Sequence, residues 1–383
     1  MITDHKFLSE KEVNVSLDPY SFIGNKVKEI GPDKFIIVAD TIPWKHHGDH
    51  FLQRICTEAD IHREHIILYP FSAIETEKTL SRVHSIIDAA IENKLTRRSL
   101  VISFGGGLTS NISGLVAALL FRGVPIMHCA TTLLNIADGV ISLKQAVNGP
   151  DGKNKIGTYH KPQLVACDLN WLSTLPSYQL YSGLAEILKN GLVISNESVG
   201  LVDGYVENGC IESLENIIKA GINIKLNILK NDPCEKTEGV VFEFGHTIGH
   251  AIEYVTKDVS HGHAVCVGLA IADKLSYLMG GLDGFEQKQR CISIFGLLIK
   301  LGGWPEFALK DVIESALQDN KRGLIECHID EIPMVISGKR GKPLYSNRLP
   351  LIAVRLDMIK TAIEMAKNDY QAYLSERKLG IYV

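Results

Sequence analysis

The chain has 383 residues, 45% of them hydrophobic and 22% charged, which suits one large or two ordinary globular domains. Its net charge is −4 with no basic block, which argues against nucleic acid as a partner. No apolar run reaches the roughly 18 residues that cross a bilayer. The opening MITDHKFLSEKE lacks the apolar core of a signal peptide, and eight scattered cysteines without a C-x-x-C pair read as buried thiols of a cytoplasmic protein.

In chain order, residues 12–16 (EVNVS) alternate and predict an edge strand. Ser21 to Ile30 predicts a short helix, and Lys34 to Asp40 a buried strand that ends in an acid. Such an acid suits the ribose hydroxyls of a dinucleotide. In the usual fingerprint, however, the glycines come first, while Asp40 precedes them here by about 65 residues, so a plain turn or cap Asp competes. His65 to Tyr69 predicts a strand, Glu77 to Asn93 an amphipathic helix, and Leu100 to Phe104 another buried strand. Gly105, Gly106 and Gly107 follow, then a helix from Asn111 to Phe121. A strand, a glycine turn and a helix start bring free N–H groups and a positive dipole end to an anion. A tight turn without a ligand has the same signature. Arg122, Asp138, Lys144, Lys153, Asn154 and Lys155 crowd the next segments, and such cations and amides suit a phosphorylated ligand. With short strands at Ile126 to Cys129 and Leu164 to Cys167, the alternation predicts an α/β layer with a parallel sheet.

Beyond Leu175 the pattern turns helical, over 178–230, 246–256, 262–280, 286–301 and 308–318. A hairpin of PMVIS and LIAVR around GKRGKP follows, then a helix from Asp357 to Lys367. The expected boundary lies near Pro176, giving an α/β domain over 1–176 and a mostly α-helical one over 177–383. His246 and His250 stand four apart on a predicted helix and share a face. H-x-x-x-H binds transition metals, but HExxH is missing, and a satisfied polar pair is the competing reading. His261 and His263 follow a short loop, and Glu186 sits in the helical GLAEILKNG. Two histidines and one carboxylate with an open position make a catalytic site for zinc or cobalt.

The blocks GGGLTSNISG, FRG (121–123), TTLLNIAD, SLKQAVN, GKNKIG, GLAEILKN, FEFGHTIGHAIE, HGHAV and DNKRG (319–323) occur in one order along nearly the whole chain. Through them the sequence resembles the sugar phosphate cyclase superfamily, whose parent is 3-dehydroquinate synthase. The resemblance implies a Rossmann-like domain and a helical domain, NAD at the domain cleft, and a divalent metal (Co2+ or Zn2+) on Glu186, His246 and His261. By position, Asp40, Glu75, Lys78, Gly105, Gly106, Gly107, Asn111, Thr131, Thr132, Asp138, Lys153 and Thr174 fall where the family contacts NAD. Ile74 departs from the glycine that relatives often place before the Glu.

Three further departures bear on the substrate. SLKQ (142–145) replaces the GGKT-like run of the parent enzymes, Glu243 their asparagine, and Gly239 the arginine that holds their substrate carboxylate. A substrate without a carboxylate is therefore expected. SLKQAVN, Glu243 and DNKRG resemble the branch that cyclises D-glucose 6-phosphate to 2-deoxy-scyllo-inosose, at the start of 2-deoxystreptamine aminoglycoside biosynthesis. Relatives acting on sedoheptulose 7-phosphate share an HGH like His261–His263 but usually lack a counterpart of His250. His263 itself replaces a glutamate common at that site.

The resemblance implies a carbon–oxygen lyase that oxidises C4, eliminates phosphate, reduces C4 and closes the ring by an aldol step. Lys144, Asn154, His250 and Lys321 would hold the phosphate, and Lys189 and Lys225 the sugar hydroxyls. Glu243 or the leaving phosphate would be the base. Arg122 would reach the phosphate of a neighbouring subunit, which implies a homodimer. Competing readings make Lys189 and Lys225 solvated helix charges, Arg122 and Lys321 surface ion pairs, Glu243 a structural acid and Asp138 a helix cap. Another cyclase of this fold, or a metal-dependent alcohol dehydrogenase, is the alternative activity.

Overall fold

Strand β2 (Phe35–Asp40) shows how the first half of the chain is built. Its alternate residues serve two cores, Phe35, Ile37 and Ala39 on one face and Ile36 and Val38 on the other. A strand buried on both faces reads as a continuous apolar run, which is why FIIVA looks unbroken in the sequence. The computed structural model describes residues 15–16, 19–150, 152–209 and 212–379. The chain falls into two compact units that meet in sequence between Leu180 and Tyr181.

In the first unit β1 (Val15–Ser16), α1 (Pro19–Ile30), β2, α2 (Thr41–Ala59), β3 (Ile66–Phe71), α3 (Leu80–Glu92), β4 (Leu100–Gly105), α4 (Gly107–Leu119), β5 (Ile126–Ala130) and α5 (Leu133–Ala137) follow one another. An antiparallel ribbon of β6 (Lys144–Gly149) and β7 (Gly152–Tyr159) comes next, then β8 (Leu164–Ala166). Six strands form a wholly parallel sheet in the order β1-β8-β5-β4-β2-β3. One core packs Phe51 and Ile55 of α2 with Phe104 and Trp171, whose ring centroids lie 5.0 Å apart. The other packs α3 and α4 against the opposite face, through Val83, Ile86, Ile112 and Val116.

The second unit holds most of α6 (Ser177–Val193), and α7 (Val199–Asn208), α8 (Glu212–Leu229), α9 (His246–Thr256), α10 (His261–Leu278), α11 (Gly284–Leu301), α12 (Leu309–Ala316) and α13 (Leu356–Lys378). β9 (Glu331–Met334) and β10 (Ile352–Arg355) pair antiparallel within it.

The expected α/β layer followed by a helical half is present. Several details differ. The predicted helix over 178–230 is three helices, interrupted after Val193 and at Gly209, where the Gly209 N–H closes on the Tyr205 carbonyl. α2 was not expected from its polar sequence, because its core contacts come from Trp44 and from Phe51, Leu52, Ile55, Cys56 and Ala59, set among polar residues. The β6–β7 ribbon was not expected either, since most of β7 is exposed and carries no apolar alternation. The closing helix runs to Lys378, well past Lys367. Of the strand predicted over 12–16 only Val15 and Ser16 belong to the described residues. Among the described residues no helix is long and apolar enough to cross a membrane.

Candidate active site

The centre of the second unit is Glu186, on the buried face of α6. Its Oε2 accepts a hydrogen bond from Lys189 Nζ at 2.5 Å, and both side chains are 1% exposed. Its Oε1 accepts no hydrogen bond, although it is buried. Instead it faces Nε2 of His246 at 3.3 Å and Nε2 of His261 at 3.5 Å. Each of these histidines is the first residue of its helix, α9 and α10. The other ring nitrogens are also held, His246 Nδ1 3.2 Å from the Phe244 carbonyl and His261 Nδ1 2.9 Å from Glu253 Oε2. Ring nitrogens of His246, His250 and His261 lie within 4.8 Å of one another.

Electrostatics follow this packing. Burial alone would raise the Glu186 carboxyl, but Lys189, then His246, outweigh it and hold it well below the usual carboxylate range. Burial opposes charge on His261, yet the carboxylates of Glu186 and Glu253 beside its two ring nitrogens prevail and raise the imidazole to about 10. His250 keeps an exposed edge, but protein around most of its ring, and next the neighbouring His246, lower it to about 3. A buried carboxylate oxygen without a hydrogen-bond donor, flanked by two imidazole nitrogens, is a donor set that fits zinc or cobalt.

Around this centre the buried Lys321 reaches Glu243 Oε2 at 3.1 Å and Asp319 Oδ2 at 2.9 Å. Lys189 and Lys225, both 1% exposed, flank the Phe242 ring, with Nζ 5.8 and 4.9 Å from its centroid. Neither lysine is a solvated helix charge, and Lys321 is no surface ion pair. His263 turns away from the centre, with Nε2 2.6 Å from the Gly303 carbonyl, so the two histidines of HGH diverge. Gly239 is buried, and its N–H donates to Asp232 Oδ2 at 2.9 Å.

In the first unit the sheet order accounts for the reversed sequence of acid and glycines. β2 and β4 are neighbours, and Ala39 is paired with Phe104, so Asp40 and Gly105 end adjacent strands. From β2 the chain steps to β3 on one side and β4 on the other, the switch point where parallel sheets bind ligands at the carboxyl ends of their strands. α4 starts there with Gly106 as its N-cap and no capping side chain. A Cβ on Gly105 would lie 2.5 Å from Thr109 Oγ1, so the turn needs a glycine. Asp40 does cap α2, accepting from the Ile42 N–H at 3.3 Å.

Several of the candidate residues lie on or against the β6–β7 ribbon. Asn111 Oδ1 accepts from the Ala146 N–H at 2.9 Å. Asn148 Nδ2 donates to Glu75 Oε1 at 2.8 Å, and its Oδ1 accepts from the Asn154 N–H at 3.1 Å. Lys78 Nζ donates to Asn154 Oδ1. Asn154 has a left-handed φ of 57°, and Lys144 and Lys153 lie on the two strands of the ribbon. Thr131 is buried at the end of β5 beside Thr132, which caps α5. Asp138 ends α5 through its backbone N–H, with no capping bond from its side chain. Thr174 Oγ1 lies 2.7 Å from His47 Nε2, and Arg122 is exposed in the turn after α4. Sequence reasoning passed over Asn148, Asp319 and Glu253. The available signals were the SLKQAVN and DNKRG blocks, and the spacing of Glu253 seven residues after His246 on one helix face.

The family model for the N-terminal part of 3-dehydroquinate synthase matches residues 68–182, and the model for its C-terminal part matches residues 183–322. A 2-deoxy-scyllo-inosose synthase of Streptomyces ribosidificus is 34% identical over 89% of this chain and 87% of its own length. One from Niallia circulans is 33% identical over 86% and 90%. A crystal structure of 2-deoxy-scyllo-inosose synthase complexed with carbaglucose-6-phosphate, NAD+ and Co2+ superposes with a TM-score of 0.83 at 28% identity, covering 95% of this chain and 100% of that one. The chain belongs to the 3-dehydroquinate synthase family, and within it is similar to the 2-deoxy-scyllo-inosose synthases.

Proposed function

We propose that this protein cyclises D-glucose 6-phosphate to 2-deoxy-scyllo-inosose with release of phosphate, using NAD and a divalent metal, Co2+ or Zn2+. The observation that carries the proposal is the bare, buried Oε1 of Glu186 between His246 and His261, in a chain 34% identical to such a synthase. Glu186, His246 and His261 would hold the metal. Asp40, Glu75, Lys78, Gly105, Gly106, Gly107, Asn111, Thr131, Thr132, Asp138, Lys153 and Thr174 would hold NAD. When bound, NAD supplies reversible oxidation at C4 and the metal supplies a Lewis acid for the C4 oxygen.

The remaining work falls to side chains. Glu243 is held 3.1 Å from Lys321 and keeps part of its side chain open to solvent, which suits a base that takes the C5 proton as phosphate departs. A positioned base of this kind contributes about 10²–10⁴ in rate. Lys189 and Lys225 would orient sugar hydroxyls from rigid, buried stems. His250, Lys321, Lys144 and Asn154 would hold the phosphate, each with a donor of the kind a phosphate monoester takes. Gly239 leaves no arginine for a substrate carboxylate.

The proposal extends to a carbon–oxygen lyase of 2-deoxystreptamine aminoglycoside biosynthesis, working in the cytoplasm as a homodimer with Arg122 directed at the neighbouring subunit. It assigns NAD to residues 1–176 and metal and sugar to residues 177–383.

The test is an incubation with glucose 6-phosphate, catalytic NAD and cobalt, following phosphate and NADH together. The expected result is phosphate release without net NADH, and a cyclic ketone by mass spectrometry. Release from sedoheptulose 7-phosphate alone moves the activity to the valiolone-forming branch. Steady NADH gain without phosphate overturns the cyclase reading in favour of a dehydrogenase.

A further inference from the structure

We infer that Glu253 is a positioning residue of the metal centre, which fixes His261 with Nε2 toward Glu186 and raises the affinity for the metal. The inference rests on the metal-site reading above. Three observations carry it. Glu253 Oε2 lies 2.9 Å from His261 Nδ1, and Glu253 is largely buried. The opposite nitrogen of the same ring, Nε2, is 3.5 Å from the bare Oε1 of Glu186. Finally, Glu253 and His246 stand seven residues apart on one face of α9, so a single rigid helix places one ligand directly and another through a carboxylate.

A ring with a carboxylate on Nδ1 has that proton engaged and presents Nε2 as its lone-pair nitrogen. The carboxylate also makes the imidazole a stronger donor. His246 is treated differently. Its Nδ1 faces the neutral carbonyl of Phe244 at 3.2 Å, so the two histidines carry unequal outer partners. His261 is the more open of the two, with 30% of its side chain exposed against 9% for His246, and so depends more on a partner to fix its ring.

The test uses the full chain, stripped of metal and titrated with Co2+ against a chromophoric chelator. Glu253→Gln, Glu253→Ala and His261→Ala are compared with the parent. Outer-shell partners of this kind are worth about 10–100-fold in metal affinity. The expected order is parent, then Glu253→Gln, which still accepts a hydrogen bond but carries no charge, then Glu253→Ala, with the Ala variant about 10–100-fold weaker than the parent and a changed cobalt d–d spectrum. Histidine ¹⁵N spectra of the zinc-loaded parent provide a readout free of substitution, and His261 should carry its proton on Nδ1. Unchanged cobalt affinity in both Glu253 variants, with affinity lost in His261→Ala, overturns the inference and leaves the metal site standing. Affinity retained in His261→Ala overturns the site itself. If a Glu253 variant does not fold, the ¹⁵N spectra decide, and a proton on Nε2 overturns the inference.

Discussion

Nζ of Lys189 lies 2.5 Å from Oε2 of Glu186, about one turn along the same helix, with 1% of either side chain exposed. The pair leaves Oε1 as the one oxygen of that carboxylate turned to the histidines. Removing the lysine strands a buried negative charge, a loss worth about 3–5 kcal/mol in comparable pairs. Lys189→Met is therefore expected to lower the melting temperature of the metal-free protein. Zinc should narrow the gap to the parent, because a bound cation compensates the same carboxylate. Thermal scans with chelator and with zinc check this, and a gap that zinc leaves unchanged would contradict it.

Gly262 lies against α6 at the start of α10. A Cβ there would come 2.2 Å from the Ser182 carbonyl oxygen, which is backbone and has no rotamer to yield. Gly262→Ala should force α10 away from α6 and carry His261 from Glu186. The expected cost is about 1–3 kcal/mol in stability, together with weaker zinc binding by equilibrium dialysis. A variant with parental zinc affinity would show that the contact does not set the ligand spacing.

Asp232 organises the loop before Glu243, accepting from the N–H groups of Lys236 at 3.0 Å, Thr237 at 2.6 Å and Gly239 at 2.9 Å. Burial opposes its charge, but these bonds outweigh it and hold its carboxyl below the usual range. Its folded pKa is thus lower than the unfolded value of about 3.9. The stability it contributes is present above that value and is lost as the pH falls through the folded pKa. Urea midpoints measured from pH 6 downward should fall less steeply with acid in Asp232→Asn than in the parent. At pH 7 the variant should be about 1–3 kcal/mol less stable. Parallel pH curves would remove Asp232 from the account.

Gly239 bears on substrate choice. A Cβ there would lie 2.9 Å from Glu235 Cβ and 3.1 Å from Asp232 Oδ2, so the loop has no room for the arginine that parent enzymes use. Phosphate release from a carboxylated seven-carbon ketose phosphate should run at least about a hundredfold below that from glucose 6-phosphate. Comparable rates on both would show that another cation serves the carboxylate.

How much of this was legible beforehand varies with the kind of signal. Buried strands such as Phe35–Asp40 and Leu100–Gly105 announce themselves as apolar runs, because both faces of a parallel strand meet a core. The shared face of His246 and His250 follows from a spacing of four. α2 was hidden because much of its N-terminal half is exposed, with Trp44 alone there packed on the core, and the β6–β7 ribbon because few of its side chains are buried. The region 178–230 read as continuously helical although Ser195, Asn196 and Ser198 mark its first interruption and Gly209 its second, because apolar residues continue on either side of both. At the site, residue types named the candidates, but the pairing of Glu253 with His261 and of Lys321 with the distant Glu243 depends on rotamers and on how separate segments approach.

The pairing of β1 with β8 has a consequence for how the first unit is made. Val15 is matched with Val165, 150 residues later in the chain. At ribosomal rates of about 5–20 residues per second, the interval between the synthesis of the two is about 8–30 s. During that time the first strand has no sheet position to occupy, whereas β2, β3 and β4 can already assemble among themselves. Two of the earliest described residues to leave the ribosome therefore take their places late, sealing the outer edge of β8 against pairing with another chain.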